Sequence, residues 1–101
     1  MTTEQSGELA VQPPPVIVRL PRSLLALFPS CPAEVRVVGA TLLEDIADLD
    51  RRVPGIRPRL LDAGPSIREH LNLFVDGELA ALDTELRPGA VIRVVPAVSG
   101  G

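Results

Sequence analysis

The chain has 101 residues, a formal net charge of −3 and 46% hydrophobic residues, with one His, one Cys and no Trp or Tyr. That length supports one domain with a modest core, and the apolar content excludes wholesale disorder. A single His and a single Cys leave little for a nucleophile–base pair, a metal cage or a disulfide framework, so composition argues against an enzyme.

Other function classes fall on similar grounds. The acidic balance, with only Phe28 and Phe74 able to stack on bases, argues against a nucleic-acid partner. No apolar run approaches the ~20 residues of a membrane span, and MTTEQSGELA has no apolar core of a secretory signal. The expected compartment is therefore the cytoplasm, with no membrane partner. All ten basic residues are Arg and none is Lys, which coding bias explains adequately.

Residues 1–15 read as a disordered leader running into Pro13-Pro14-Pro15, whose backbone favours an extended, unpaired form. The folded part is expected over residues 16–96. In VIVRL, Val16, Val18 and Leu20 alternate with Ile17 and Arg19 at the period of a strand. Pro21 ends it, and RSLLALFPSCP is an apolar connection without a clear periodicity. AEVRVV repeats the alternation through Val35 and Val37, and an antiparallel pairing with the first strand is the economical arrangement.

Thr41-Leu42-Leu43-Glu44 has the spacing of a capping box. Leu42, Ile46, Leu49 and Val53 follow as one apolar helical stripe, with Asp45 in the first turn and Arg51 and Arg52 in the last. Asp48 and Arg52 add an i,i+4 pair, and Pro54-Gly55 stops the helix. A short helical turn is expected near Arg59–Asp62. LNLFV then reads as a strand, and Asp76-Gly77 marks a hairpin because both central positions need φ > 0. The return strand is placed near Glu78–Ala81, and VIRVV is the last strand, ended by Pro96.

Two strands, a helix and three strands predict an α+β fold of the β-grasp plan: a mixed sheet with one main helix on one face, and first and last strands side by side. If Leu71, Leu73, Val75, Ile92 and Val94 face the helix, the other sheet face carries Ile17, Arg19, Asn72, Phe74, Val91, Arg93 and Val95. Two Arg and an aromatic among apolar residues match the composition of interface centres, so these seven form the candidate partner interface. Single apolar residues on a solvated face are also common, and that bland reading weighs about equally for any one of them. His70 has no second ligand nearby, and Cys31 sits in a Pro-flanked turn with nothing to lower its pKa.

The chain closes on Pro-Ala-Val-Ser-Gly-Gly, so residues 97–101 are expected to form a flexible tail. An ordinary frayed terminus is the plain alternative. Glycine at both final positions nevertheless suits a carboxylate that must thread a narrow active site, because no Cβ crowds the reacting carbon.

VIVRLP at the start, LNLFVDGE in the middle and VVPAVSGG at the end together resemble the MoaD/ThiS family of ubiquitin-like sulfur carriers, over residues 16–101. The length favours the branch of the molybdopterin synthase small subunit and the cysteine-biosynthesis carrier. Ser99 stands where members often carry Ala. The resemblance implies that an E1-like adenylyltransferase, using ATP, adenylates the Gly101 carboxylate. A sulfur donor, either a persulfide sulfurtransferase or sulfide, then converts it to a thiocarboxylate, which a sulfur-accepting synthase consumes in a biosynthetic pathway. Gly100, Ser99, Val98 and Ala97 would thread the partner active sites. The carrier itself would bind no cofactor, supply no catalytic side chain and be monomeric when free. Two other readings stand beside it: a modifier conjugated through Gly101 to target lysines, and a simple interaction module whose Gly-Gly end is incidental.

Overall fold

A computed structural model describes residues 14–97. Strand β1 (Val16–Arg19) buries Val16 and Val18 and leaves Arg19 exposed, and β2 (Glu34–Val37) likewise buries Val35 and Val37. They pair antiparallel, Val18 opposite Val35. The connection between them, without assignable periodicity in the sequence, contains a one-turn helix α1 (Arg22–Leu25) that starts after Pro21 and buries Leu24.

Helix α2 (Leu42–Arg52) is built as its sequence signals predict. The Glu44 amide donates to Thr41 Oγ1 (3.2 Å), and Glu44 Oε1 accepts from the Ala40 amide (2.8 Å), one residue before the usual partner of a capping box. Two further free amides of the first turn, those of Leu42 and Leu43, donate to the carbonyls of Thr84 and Leu82. The stripe Leu42, Ile46, Leu49 and Val53 is buried against the sheet.

After α2 the chain departs from expectation in detail. The helical turn lies at Arg57–Leu60 (α3), earlier than Arg59–Asp62, because Pro58 suits a first helical turn where its missing amide is not needed. Leu61–Asp62 instead forms β3, paired in a small hairpin with β4 (Ser66–Ile67). Strand β5 (Leu71–Val75) and a return strand β6 (Glu78–Leu79) flank the Asp76-Gly77 turn, where φ is +49° and +89°. The return strand stops before Ala80, and Ala81 turns off to donate its amide to Thr84 Oγ1.

The last strand, β7 (Val91–Pro96), lies at the centre of the sheet, in the order β2-β1-β7-β5-β6. It runs parallel to β1 and antiparallel to β5. One helix layer covering one face of this mixed sheet is the β-grasp fold. Pro96 does not end β7: it pairs with Leu71, and the Ala97 amide donates to the His70 carbonyl (2.8 Å). With His70 and Ala97 a hydrogen-bonded pair, Leu71 and Pro96 are the non-bonded pair that follows, so proline removes no bond to β5. Its nitrogen points past the end of β1. No helix among the described residues is long and apolar enough to cross a membrane.

Candidate functional site

The face of the sheet away from α2 follows from register. Residues paired across adjacent strands share a face, so Ile17 beside Val91, Arg19 beside Arg93, Arg93 beside Phe74, and Val95 beside Asn72 form one surface. All seven residues expected there from strand alternation are brought together, while Val18, Leu73, Ile92 and Val94 point into the core. Arg93 sits at the centre, on the middle strand, with Phe74 on one side and Arg19 on the other.

Three members of this face were missed by sequence reasoning. Leu79 stands directly opposite Phe74 and is 67% exposed, while Glu34 and Arg36 stand opposite Arg19 and Ile17. The signal for Leu79 was present. A two-residue turn at Asp76-Gly77 pairs Val75 with Glu78, and therefore Phe74 with Leu79. The turn is tied to the start of β7 by reciprocal bonds, Asp76 amide to Val91 carbonyl and Val91 amide to Asp76 Oδ1, each 2.9 Å. Register across β5, β6 and β7 is thereby held.

The charges on this face are distributed unevenly. Arg19 Nε reaches Glu34 Oε2 at 2.9 Å, drawing its guanidinium toward β2. Arg93 has no ion pair among the described residues, so the centre of the face is cationic beside an aromatic and a leucine. Cys31 lies in the turn before β2, packed against the core. The Cys31 thiol donates to the Pro32 carbonyl, and burial pushes its pKa up, away from a reactive thiolate.

Behind the sheet, two carboxylates of α2 occupy contrasting environments. Burial raises the Asp48 carboxyl, but hydrogen bonds from Arg51, the Val38 amide (2.8 Å) and Arg52 (2.8 Å) outweigh it and bring the pKa down to about 2. Asp45 is fully buried, and neither oxygen has a partner among the described residues. Burial, then the charges of Asp48 and Glu44, push its pKa up to about 7. The helix packs so closely there that a Cβ on Gly39 would lie 2.7 Å from Asp45 Oδ1 and 2.8 Å from the Asp45 amide. Both carboxylates are remote in role from the open face and act on the fold.

The described part of the chain ends beside the open face, two residues past Val95 and its pair Asn72. Of the expected tail, Ala97 is held on the sheet by its bond to His70. Val98, Ser99, Gly100 and Gly101 lie outside the described residues, as does the leader up to Pro13.

A family model for the ThiS family matches residues 32–101, taking in β2, the helix α2, strands β5 to β7 and the terminal Gly-Gly, but not β1. The chain belongs to the ThiS family. Solved structures agree with this membership. One chain of the Amycolatopsis orientalis BexX/CysO complex shares 31% identity with a TM-score of 0.75, over 85% of this chain and 99% of that one. CysO of Mycobacterium tuberculosis shares 28% with a TM-score of 0.74, over 82% and 99%. SAMP1 of Haloferax volcanii shares 26% with a TM-score of 0.72, over 85% and 98%. None of the curated proteins matches. The MoaD/ThiS resemblance read from VIVRLP, LNLFVDGE and VVPAVSGG thus holds, and this ThiS-family chain is of the ubiquitin-like sulfur carrier or modifier kind.

Proposed function

We propose that this ThiS-family chain is a sulfur carrier whose reactive group is the Gly101 carboxylate. The observation that carries the reading is the course of β7. The central strand bears Val91, Arg93 and Val95 on an open face and leads directly into the Gly-Gly segment. A partner that grips the face therefore receives the chain end in a set direction.

The chemistry follows from the group presented. A carboxylate is a poor electrophile, so it first attacks the α-phosphorus of ATP in an E1-like partner, releasing pyrophosphate and forming an acyl-adenylate. Sulfide then attacks the acyl carbon, AMP departs, and a thiocarboxylate is left. With a persulfide donor the same attack gives an acyl disulfide, whose S–S bond a thiol of the sulfur-transfer partner reduces, releasing the thiocarboxylate and leaving a disulfide on the partner. That sulfur is ionised near neutral pH and is passed to a sulfur-accepting synthase. The carrier acts as a co-substrate: the partner supplies ATP and acid–base groups. Its own residues position the tail, with Phe74, Arg93, Asn72, Arg19 and Ile17 gripped by the partner along with Val91 and Val95. Ala97 is the pivot from which Val98, Ser99 and Gly100 thread, spanning about 14 Å to Gly101 when extended. The cationic centre at Arg93 calls for a partner surface that is apolar with an acidic group at its middle.

The 31%-identical chain comes from a BexX/CysO complex, which supports a carrier that docks on a partner protein. The modifier reading has one specific support, the likeness to SAMP1, a small archaeal modifier protein. Intact-mass measurement after incubation with ATP, an E1-like enzyme and a sulfur donor separates the two. A carrier gains the oxygen-to-sulfur increment at its C-terminus. Isopeptide adducts to target lysines without that increment would overturn the carrier reading.

A further inference from the structure

The free edge of the sheet is complementary to itself. Strand β2 is the outermost strand beyond β1. The Leu20 amide donates to the Ala33 carbonyl, so Leu20 and Ala33 form a hydrogen-bonded pair. Alternation then makes Val18 with Val35 a bonded pair, and Arg19 with Glu34 and Ile17 with Arg36 non-bonded pairs. The Ile17 amide confirms the parity, since it donates away from β2, to the Ala90 carbonyl (2.9 Å). The amides and carbonyls of Glu34 and Arg36 therefore point outward from the sheet, with no partner among the described residues.

We infer that this edge pairs with the β2 edge of a second copy, antiparallel about a two-fold axis at Val35, to form one continuous sheet. In that register Glu34 lies opposite Arg36 of the other copy, and Arg36 opposite its Glu34. These are the residues whose backbone groups face outward, so each of the two pairs makes two backbone hydrogen bonds. The side chains of each pair share the open face and carry opposite charges. A one-residue slip would set Glu34 opposite Val35 and turn the outward groups out of phase, and a two-residue slip would set Glu34 opposite Glu34 or Arg36 opposite Arg36.

Room for a strand exists at this edge. A groove of about 460 Å³ runs along it, lined by Ile17, Pro32, Glu34, Val35, Arg36 and Arg52. The ladder is also limited to these four residues. The next outward amide, that of Val38, is already taken by Asp48 Oδ2, and Pro32, opposite it in the pair, has no amide to give. Such a short ladder gives weak association, so the chain, expected from its sequence to be monomeric when free, pairs with itself only at high concentration.

Sedimentation equilibrium over a concentration series reaching about 1 mM tests the inference. The weight-average mass of the unmodified chain rises from that of one copy toward that of two. Glu34→Arg and Arg36→Glu each place like charges opposite one another, and each alone stays at the mass of one copy. An equimolar mixture of the two variants restores both opposite-charge pairs, and its mass rises again. In the unmodified chain, the amide resonances of Glu34 and Arg36 move with concentration more than that of Val35, which already faces β1. An unmodified chain that stays at the mass of one copy overturns the inference. So does association that survives both single variants, or a mixture that remains at the mass of one copy.

Discussion

The two faces of the sheet are made by alternate residues of the same strands, yet they answer to different demands. On the covered side, Val18, Val37, Leu73, Ile92 and Val94 pack against the stripe of α2, and nearly every position is aliphatic. On the open side, Ile17, Phe74, Leu79, Val91, Arg93 and Val95 mix aliphatic, aromatic and cationic groups at partial exposure. Hydrophobic burial holds the first face to one chemistry, whereas the second costs the fold little and is free to be shaped by a partner. The difference teaches where to look for a partner site: on the face the fold does not need.

The comparison is broken or sharpened first at the chain end, where the largest effect is expected. Removing Gly101 abolishes thiocarboxylate formation with an E1-like enzyme, read by intact mass, and leaves the unfolding midpoint unchanged. Retained conversion would separate the open face from the function assigned to it. Next, Leu73→Ala on the covered side lowers stability by about 2–5 kcal/mol in denaturant unfolding. Its neighbour Phe74→Ala lowers stability by no more than about 1 kcal/mol, but weakens partner binding by about tenfold or more in calorimetry. Equal stability losses for the two would erase the distinction between the faces.

Asp45 tests the covered side at a place where it is not aliphatic. Its folded pKa of about 7 lies above the ordinary 3.8, so the folded state holds a proton that the unfolded state has lost between those values. Stability from this group is thus greatest below pH ~4 and falls as the pH rises to about 7. Asp45→Asn raises the thermal midpoint at pH 8, and the gain shrinks to nothing near pH 4. Asp48 behaves in the opposite sense: its support is full above the ordinary carboxyl range and fades as the pH falls toward 2. The smallest effect is expected at Arg93→Ala, which slows partner association a few-fold and flattens its dependence on salt in stopped-flow mixing, with stability unchanged.

Much of this protein was legible before its structure. Period-2 alternation assigned both faces of β1, β5 and β7, and the capping box with its apolar stripe placed α2, because these signals are local and each element meets the core on one side. Asp76-Gly77 dictated its hairpin for a similar reason: the turn needs left-handed backbone at both positions, and few residue pairs allow it. The family resemblance rested on the same local segments and on the final glycines.

What the sequence alone did not determine was decided by contacts between distant segments. The one-turn helices α1 and α3 and the β3–β4 hairpin are too short for periodicity to register, and they form because Leu24, Leu60 and Leu61 find places in the core. Proline reads locally as a strand end, but at position 96 the register with β5 puts its missing amide where no bond is made, so β7 continues. Asp45 looks in sequence like a first-turn acid favoured by the helix dipole. Only the approach of Gly39 and the loop before α2 buries it without a partner. Pattern determines which side of an element turns inward. Long-range register and packing determine which polar atoms find partners, and so where the edge at Glu34 and Arg36, and the face around Arg93, are left open.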